Sequence, residues 1–292
     1  MTNLEKLRKL NLKVSDTTNV RQLLENLPIL ITPFYIKKGS YILRARKGNG
    51  FVKRKDMTYC PVEKCTSLQR ATLAGQTMFY GVISDNQSHQ DHARAIAVCE
   101  CSSLCKEGID STGREYFTVA HWEVVKQLHV VSLITHKTFP NITENIILNC
   151  LRDAFVLLHG DSKSSEEEKE IAQFVSDEFS KPVKADENYK YLISATIATK
   201  IINDMDFDGI VFPSVRLGGQ GGLNIALTPK AVNKKMRFIR TLDHTLFKKQ
   251  DQTFLRMERV TEKGRKRRID QFSDEFIIQR FGIKTLQELP IV

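Results

Sequence analysis

The segment from Asp206 to Leu227 constrains the fold more than any other part of the chain. Ile210, Val211 and Phe212 form a β-branched and aromatic run that Pro213 ends, because proline supplies no N–H to a strand ladder. Leu223 to Leu227 then resumes a buried-strand pattern. Between the runs lie Ser214 and four glycines among residues 218 to 222, which permit close backbone approach to a ligand or positive φ angles. The glycines alone fit a plain surface hairpin equally well. A hydroxyl placed just past a strand end marks the stretch as a place for chemistry.

A chain of 292 residues has room for one large or two ordinary domains, and we expect one domain with additions. Its 41% apolar and 27% charged content is ordinary for a folded globular protein. No run approaches the roughly 18 apolar residues of a membrane span, and Glu5, Lys6, Arg8 and Lys9 interrupt the leucines at the start, so the expectation is a cytoplasmic chain with no membrane partner. Six cysteines without a secretory leader suit free thiols in a reducing compartment better than a disulfide framework. Cys60 and Cys65, or Cys99, Cys101 and Cys105 with His89 and His92, would be the zinc alternative. Neither spacing is the usual C-x2-C knuckle, and no metal is expected.

The net charge of +10 is local. Residues 230 to 268 carry fourteen Lys/Arg against four Asp/Glu, which equals the whole excess. The densest run, Lys263 to Arg268, could meet phosphates or an anionic protein surface, but reads first as a solvated charged turn, since no nucleic-acid motif accompanies it.

Periodicity supplies the remaining elements. Leu4, Leu7 and Leu10, then Val20 to Leu27, predict two short amphipathic helices that look like an appendage. Strands are expected at 41–46 and 77–83, a helix through 93–98 with Glu100 at its end or on a strand that follows, and valine-rich strands over 116–134. Helices follow over 143–158, from Glu166 to about Ser180, and over 189–205. A strand pair over 236–261 and a short helix at 274–280 close the chain.

Arg44 in Leu43-Arg-Ala-Arg46, the block Arg70 to Gly81 with Phe79-Tyr80-Gly81, Ala95 to Glu100, and Asp208 to Ser214 through Asn224 to Leu227 together resemble the RES family, named for its Arg, Glu and Ser. The blocks keep the family's order over residues 40 to 230. Thr72 and Ala74 depart from the usual Asn and Pro, and both ends are extended.

The resemblance implies an α+β, ADP-ribosyltransferase-like domain, a mixed split sheet with flanking helices, over 40–230. It leaves an N-terminal helical extension at 1–39 and a basic C-terminal extension at 231–292 packed on the same domain. It also implies a bacterial toxin that consumes NAD as substrate by hydrolysis or phosphorolysis, or transfers ADP-ribose to a protein, with an Xre-type antitoxin as partner.

The chemistry suits these residue types. Breaking the nicotinamide–ribose bond leaves positive charge on the sugar, which a carboxylate such as Glu100 stabilises. An arginine fork pairs with the pyrophosphate, and motif position favours Arg44, although spacing on one strand face leaves Arg46 open. Tyr80 would pack on nicotinamide, Ser214 would bond the ribose or amide, and Arg70 is a further NAD contact in the matching block. The rival class is a noncatalytic binder of nucleic acid or a regulatory partner through residues 230–268, and nucleic acid is the less favoured partner.

Overall fold

The computed structural model describes residues 1–84, 90–141, 145–160, 163–184, 186–214, 222–269 and 271–292. In chain order the elements are α1 (Asn3–Arg8), α2 (Thr17–Leu24), β1 (Thr32–Ile36), β2 (Tyr41–Lys47), β3 (Phe79–Ser84), α3 (Gln90–Cys101), α4 (Ser103–Lys106), β4 (Thr112–Val124) and β5 (Leu128–Ser132). They continue with α5 (Ile146–His159), α6 (Glu166–Ser180), α7 (Leu192–Met205), β6 (Gly209–Pro213), β7 (Leu223–Leu227), α8 (Pro229–Lys235), β8 (Met236–Lys249), β9 (Gln252–Glu262), β10 (Arg265–Arg268) and α9 (Asp274–Phe281). The architecture is α+β with mostly antiparallel strands and flanking helices. No helix among the described residues is long and apolar enough to cross a membrane.

The chain forms two compact units, each assembled from three separated segments. The first comprises Met1–Lys38, Tyr59–Tyr80 and Lys126–Lys235; the second comprises Gly39–Thr58, Gly81–Val125 and Met236–Val292. Segment boundaries at Lys38 and Lys235 fall near the expected limits at 39 and 230, while residues 40–230 are shared between the two units.

In the first unit the strands run β1-β5-β6-β7. β5 and β6 are parallel, and the long connection between them carries α5, α6 and α7, as a parallel crossover requires. β1 and β7 pair antiparallel to their neighbours. β1 was not expected, because Pro33 disrupts a strand pattern. At the end of the strand order its missing N–H is tolerated. α6 forms as its sequence suggests: the Ser165 side chain accepts from the Glu168 N–H while Glu168 returns a bond to Ser165 N–H, and Glu166 to Glu168 face the positive helix end. α8, also unexpected, starts where Thr228 Oγ1 accepts from the Ala231 N–H and proline takes the first helical position.

The N-terminal helices are no appendage. Leu4, Leu7, Val20 and Leu24 lie in the same core as Ile171 and Phe179 of α6, Ile193 and Ile197 of α7 and Ile210 and Phe212 of β6. Burying side chains of this size stabilises by about 1.5–3 kcal/mol each, so the expected extension is part of what holds this unit together.

In the second unit β3-β2-β4-β8-β9-β10 follow one another with antiparallel neighbours. β8 pairs with β4 from Thr112↔Lys249 to Val124↔Met236, so residues 231–292, read as an extension, supply half the strands of this unit. α3 packs on β2 and β4, and α4 on β4. Phe247 of β8 packs with Ile277 and Phe281 of α9.

The basic run is only partly a turn. Lys263 and Gly264, both at positive φ, form the two-residue hairpin loop, while Arg265 to Arg268 form β10 against β9.

Two substitutions test this packing. A Cβ on Gly209 would overlap the Ala226 carbonyl oxygen and lie 2.9 Å from Leu227 Cδ2, so Gly209→Ala should cost about 3 kcal/mol by denaturant unfolding. Leu7→Ala, removing a side chain with 1% exposure, should cost about 2–5 kcal/mol; no loss would mean that α1 is dispensable.

Candidate functional site

β2 carries the two arginines on one face. Arg44 stands opposite Ala120 and Arg46 opposite Thr118 of β4. Arg46 is engaged by the chain that follows: its Nη1 donates to the Asp56 carbonyl at 2.8 Å and its guanidinium lies 4.1 Å from the centre of the Phe51 ring. Spacing left both arginines open, and the geometry gives Arg46 a structural task. Arg44 is half-buried on β2, against which α3 packs.

Glu100 lies in the last turn of α3, half-buried, while Ile96, Ala97, Val98 and Cys99 turn inward. The next residue registers both charges. Burial pushes the Cys101 thiol up, the Arg44 guanidinium pulls it down, and Glu100 pushes it up again. Arg44 and Glu100 are therefore within electrostatic reach of one sulfur, whose hydrogen bond goes to the Ala45 carbonyl at 3.4 Å.

A buried carboxylate fixes the end of α3. Glu115 of β4 has no exposed surface, and its Oε1 lies 2.8 Å from Lys47 Nζ. Ser102 and Ser103 donate their hydroxyls to it, and the Ser103 N–H adds a bond at 3.3 Å. Burial alone would raise its pKa, but Lys47 and the two serines together hold it below the ordinary glutamate value. Nothing in sequence spacing announces this clamp, since its members are local on two elements and distant on the third.

The first unit holds the other expected residues. Tyr80 packs against the core, its hydroxyl bonded to Thr72 Oγ1 and accepting the Ala71 N–H at 3.2 Å. Burial pushes this phenol up to about 12, against the opposing pull of Thr72, Ala71 and Arg70. Thr72, which departs from the RES pattern, is thus the residue that orients Tyr80.

Arg70 does not present an open guanidinium. Its Nη1 donates to the Phe179 carbonyl at 2.8 Å and its Nη2 to the Lys181 carbonyl at 2.9 Å, with Tyr191 stacked 5.0 Å from the guanidinium carbon. It satisfies carbonyls at the C-terminal end of α6, a capping task that the expectation of an NAD contact did not include.

Ser214 follows β6 as expected and is 1% exposed. Its N–H donates to the Gly222 carbonyl at 2.8 Å, which closes the β6–β7 hairpin. Gly218, Gly219 and Gly221 lie outside the described residues, as does His89 of the zinc alternative. Among the described residues no group of three or more His, Cys, Asp or Glu is arranged to hold a metal ion.

Two arginines of the basic stretch are internally paired. Arg259 makes a two-pronged contact with Asp243, and Arg256 meets Glu258 at 2.8 Å and Asp274 at 2.5 Å. Both arginines line a pocket of about 350 Å³ with Asn49, Tyr116, Thr245 and Arg268. The side chains of β10 remain exposed.

Two buried histidines were missed. His121 of β4 has 0% exposure, and neither ring nitrogen has a hydrogen-bond partner among the described residues. Burial and the charges of Arg240 and Arg94 push it down to about 3; burial and Arg94 push His244 down to about 4. Both rings stay neutral in the fold. In the unfolded chain they protonate near pH 6.5, so acid favours unfolding. Their stabilisation is complete above about pH 6.5 and is lost as pH falls toward 4 and 3. The urea midpoint should drop over this window, and His121→Leu should flatten the dependence; an unchanged profile in that variant would reject the assignment.

A scan of protein-family models and a search of the curated proteins each return no match to this chain.

Proposed function

We propose that the chain is a RES-type enzyme that consumes NAD by breaking the nicotinamide–ribose bond. The observation that carries this reading is that a strand arginine, Arg44, and a helix-end carboxylate, Glu100, both of the second unit, each lie close enough to Cys101 to shift its thiol, on elements that pack together. Their order and spacing are those on which the RES resemblance rests.

In this reading Arg44 grips the pyrophosphate with paired charge-assisted bonds, and Glu100 faces the sugar as positive charge spreads over its anomeric carbon and ring oxygen. Nicotinamide leaves as a neutral base. Water or phosphate then takes its place on the sugar; a side chain of a target protein as acceptor would make the same chemistry mono-ADP-ribosylation. The resemblance assigns Tyr80 a contact with nicotinamide and Ser214 one with the ribose or amide. A cytoplasmic toxin held in check by an Xre-type antitoxin is the biological setting that the resemblance implies.

The test is nicotinamide release from NAD by the purified chain, with and without phosphate. Glu100→Gln and Arg44→Ala should each lower turnover by about tenfold or more while the far-UV spectrum and unfolding midpoint stay unchanged. Wild-type turnover in both variants would remove these residues from the chemistry.

A second reading has its own observation: Arg265, Lys266, Arg267 and Arg268 all lie exposed on β10. A noncatalytic binder of polyanions would release its ligand steeply with salt, lose binding when these four are neutralised, and leave NAD intact.

A further inference from the structure

We propose that Cys99 and Cys105 form a peroxide-reactive dithiol that closes to a disulfide. This inference stands apart from the NAD reading and rests on the corner between α3 and α4.

Cys99 lies in the last turn of α3 and Cys105 in α4. In one continuous helix, residues six apart are separated by about 9 Å along the axis and could not meet. Here Ser102 interrupts the helix with extended backbone, at φ −71° and ψ 130°. The chain turns a corner, the short helices pack together, and the two sulfurs come to 3.3 Å. Closing to the roughly 2.05 Å of a disulfide needs a shift of little more than an ångström, in a helix of one turn.

The thiols differ in the way that two-step oxidation requires. Cys99 is 1% exposed, whereas Cys105 is half-buried and so the more accessible residue of the two. The Cys105 thiol is pulled down to about 7, chiefly by its hydrogen bond with Cys99 and also by Ser102, against opposition from burial and Glu115. A substantial thiolate fraction is therefore present near neutral pH. Cys101 differs from Cys105: its thiol is pushed up by burial and hydrogen-bonded to the Ala45 carbonyl.

Hydrogen peroxide is the smallest oxidant of the right class. The Cys105 thiolate attacks one oxygen, the O–O bond breaks, and the departing hydroxide takes up a proton to leave as water, which makes Cys105 a sulfenic acid. The Cys99 sulfur then attacks the sulfenic sulfur, its proton joins the departing hydroxyl as a second water, and the S–S bond forms. The two thiols lose two electrons in total, and the peroxide gains them.

The full chain, treated with a slight excess of hydrogen peroxide at pH 7.5, blocked with iodoacetamide and digested, should yield a Cys99–Cys105 linked peptide that dithiothreitol releases. Cys105→Ser should abolish the link. Cys99→Ser should stop at a Cys105 sulfenic acid that dimedone traps, and Cys101→Ser should leave the link intact. Recovery of Cys99 and Cys105 as alkylated thiols from peroxide-treated wild-type chain, or a dominant Cys101–Cys105 link, would overturn the proposal. The wild-type arm decides it even if a variant fails to fold.

Discussion

Glu115 sits near the start of β4 with no exposed surface, and the geometry of the whole α3–α4 corner depends on how its charge is satisfied. An isolated buried carboxylate costs several kcal/mol, and removing one partner of a buried pair leaves that cost uncompensated. Here an ammonium from β2, two hydroxyls and one backbone N–H converge on it from the α3–α4 junction and a neighbouring strand. The same serine that donates to Glu115 also caps α4 by accepting the Cys105 N–H. One charge thereby anchors the junction where α3 gives way to α4 and the approach of Cys105 to Cys99.

Local pattern carried much of the fold. The strands at β2, β3, β6 and β7 and the helices α3, α5, α6 and α7 follow short-range periodicity, capping residues and turn glycines, all of which one sequence displays. What it could not display was non-local. The leucines of α1 read as a peripheral stripe because nothing nearby in sequence says that their partners are on α6 and α7. β1 was hidden by its proline, and β10 by four like charges, which resemble a solvated turn until a hairpin partner is present. The C-terminal strands looked like an addition because β4, which they complete, lies more than a hundred residues earlier.

The candidate residues divide along the same line. Residue type and motif order singled out Arg44, Glu100, Tyr80 and Ser214, but not the duties of their neighbours. Arg46 bonds the Asp56 carbonyl and lies over the Phe51 ring, and Arg70 bonds two carbonyls at the end of α6, duties that residue type alone does not reveal. Thr72, an apparent departure from the family pattern, proves to be the hydrogen-bond partner of Tyr80. His121 and His244 occupy inward positions of long strands, where alternation alone reads them as polar surface until the covering elements are known.

The interleaving of the two units has a consequence for biosynthesis. β4 emerges from the ribosome well before β8, its partner along nearly the whole strand, and the second unit cannot complete its sheet until the final segment has been made. Until then β4 presents a long, largely apolar edge that invites pairing with other chains. Nascent chains of this protein should therefore depend on ribosome-associated holdases, and premature termination near residue 235 should yield aggregates in place of a smaller folded domain.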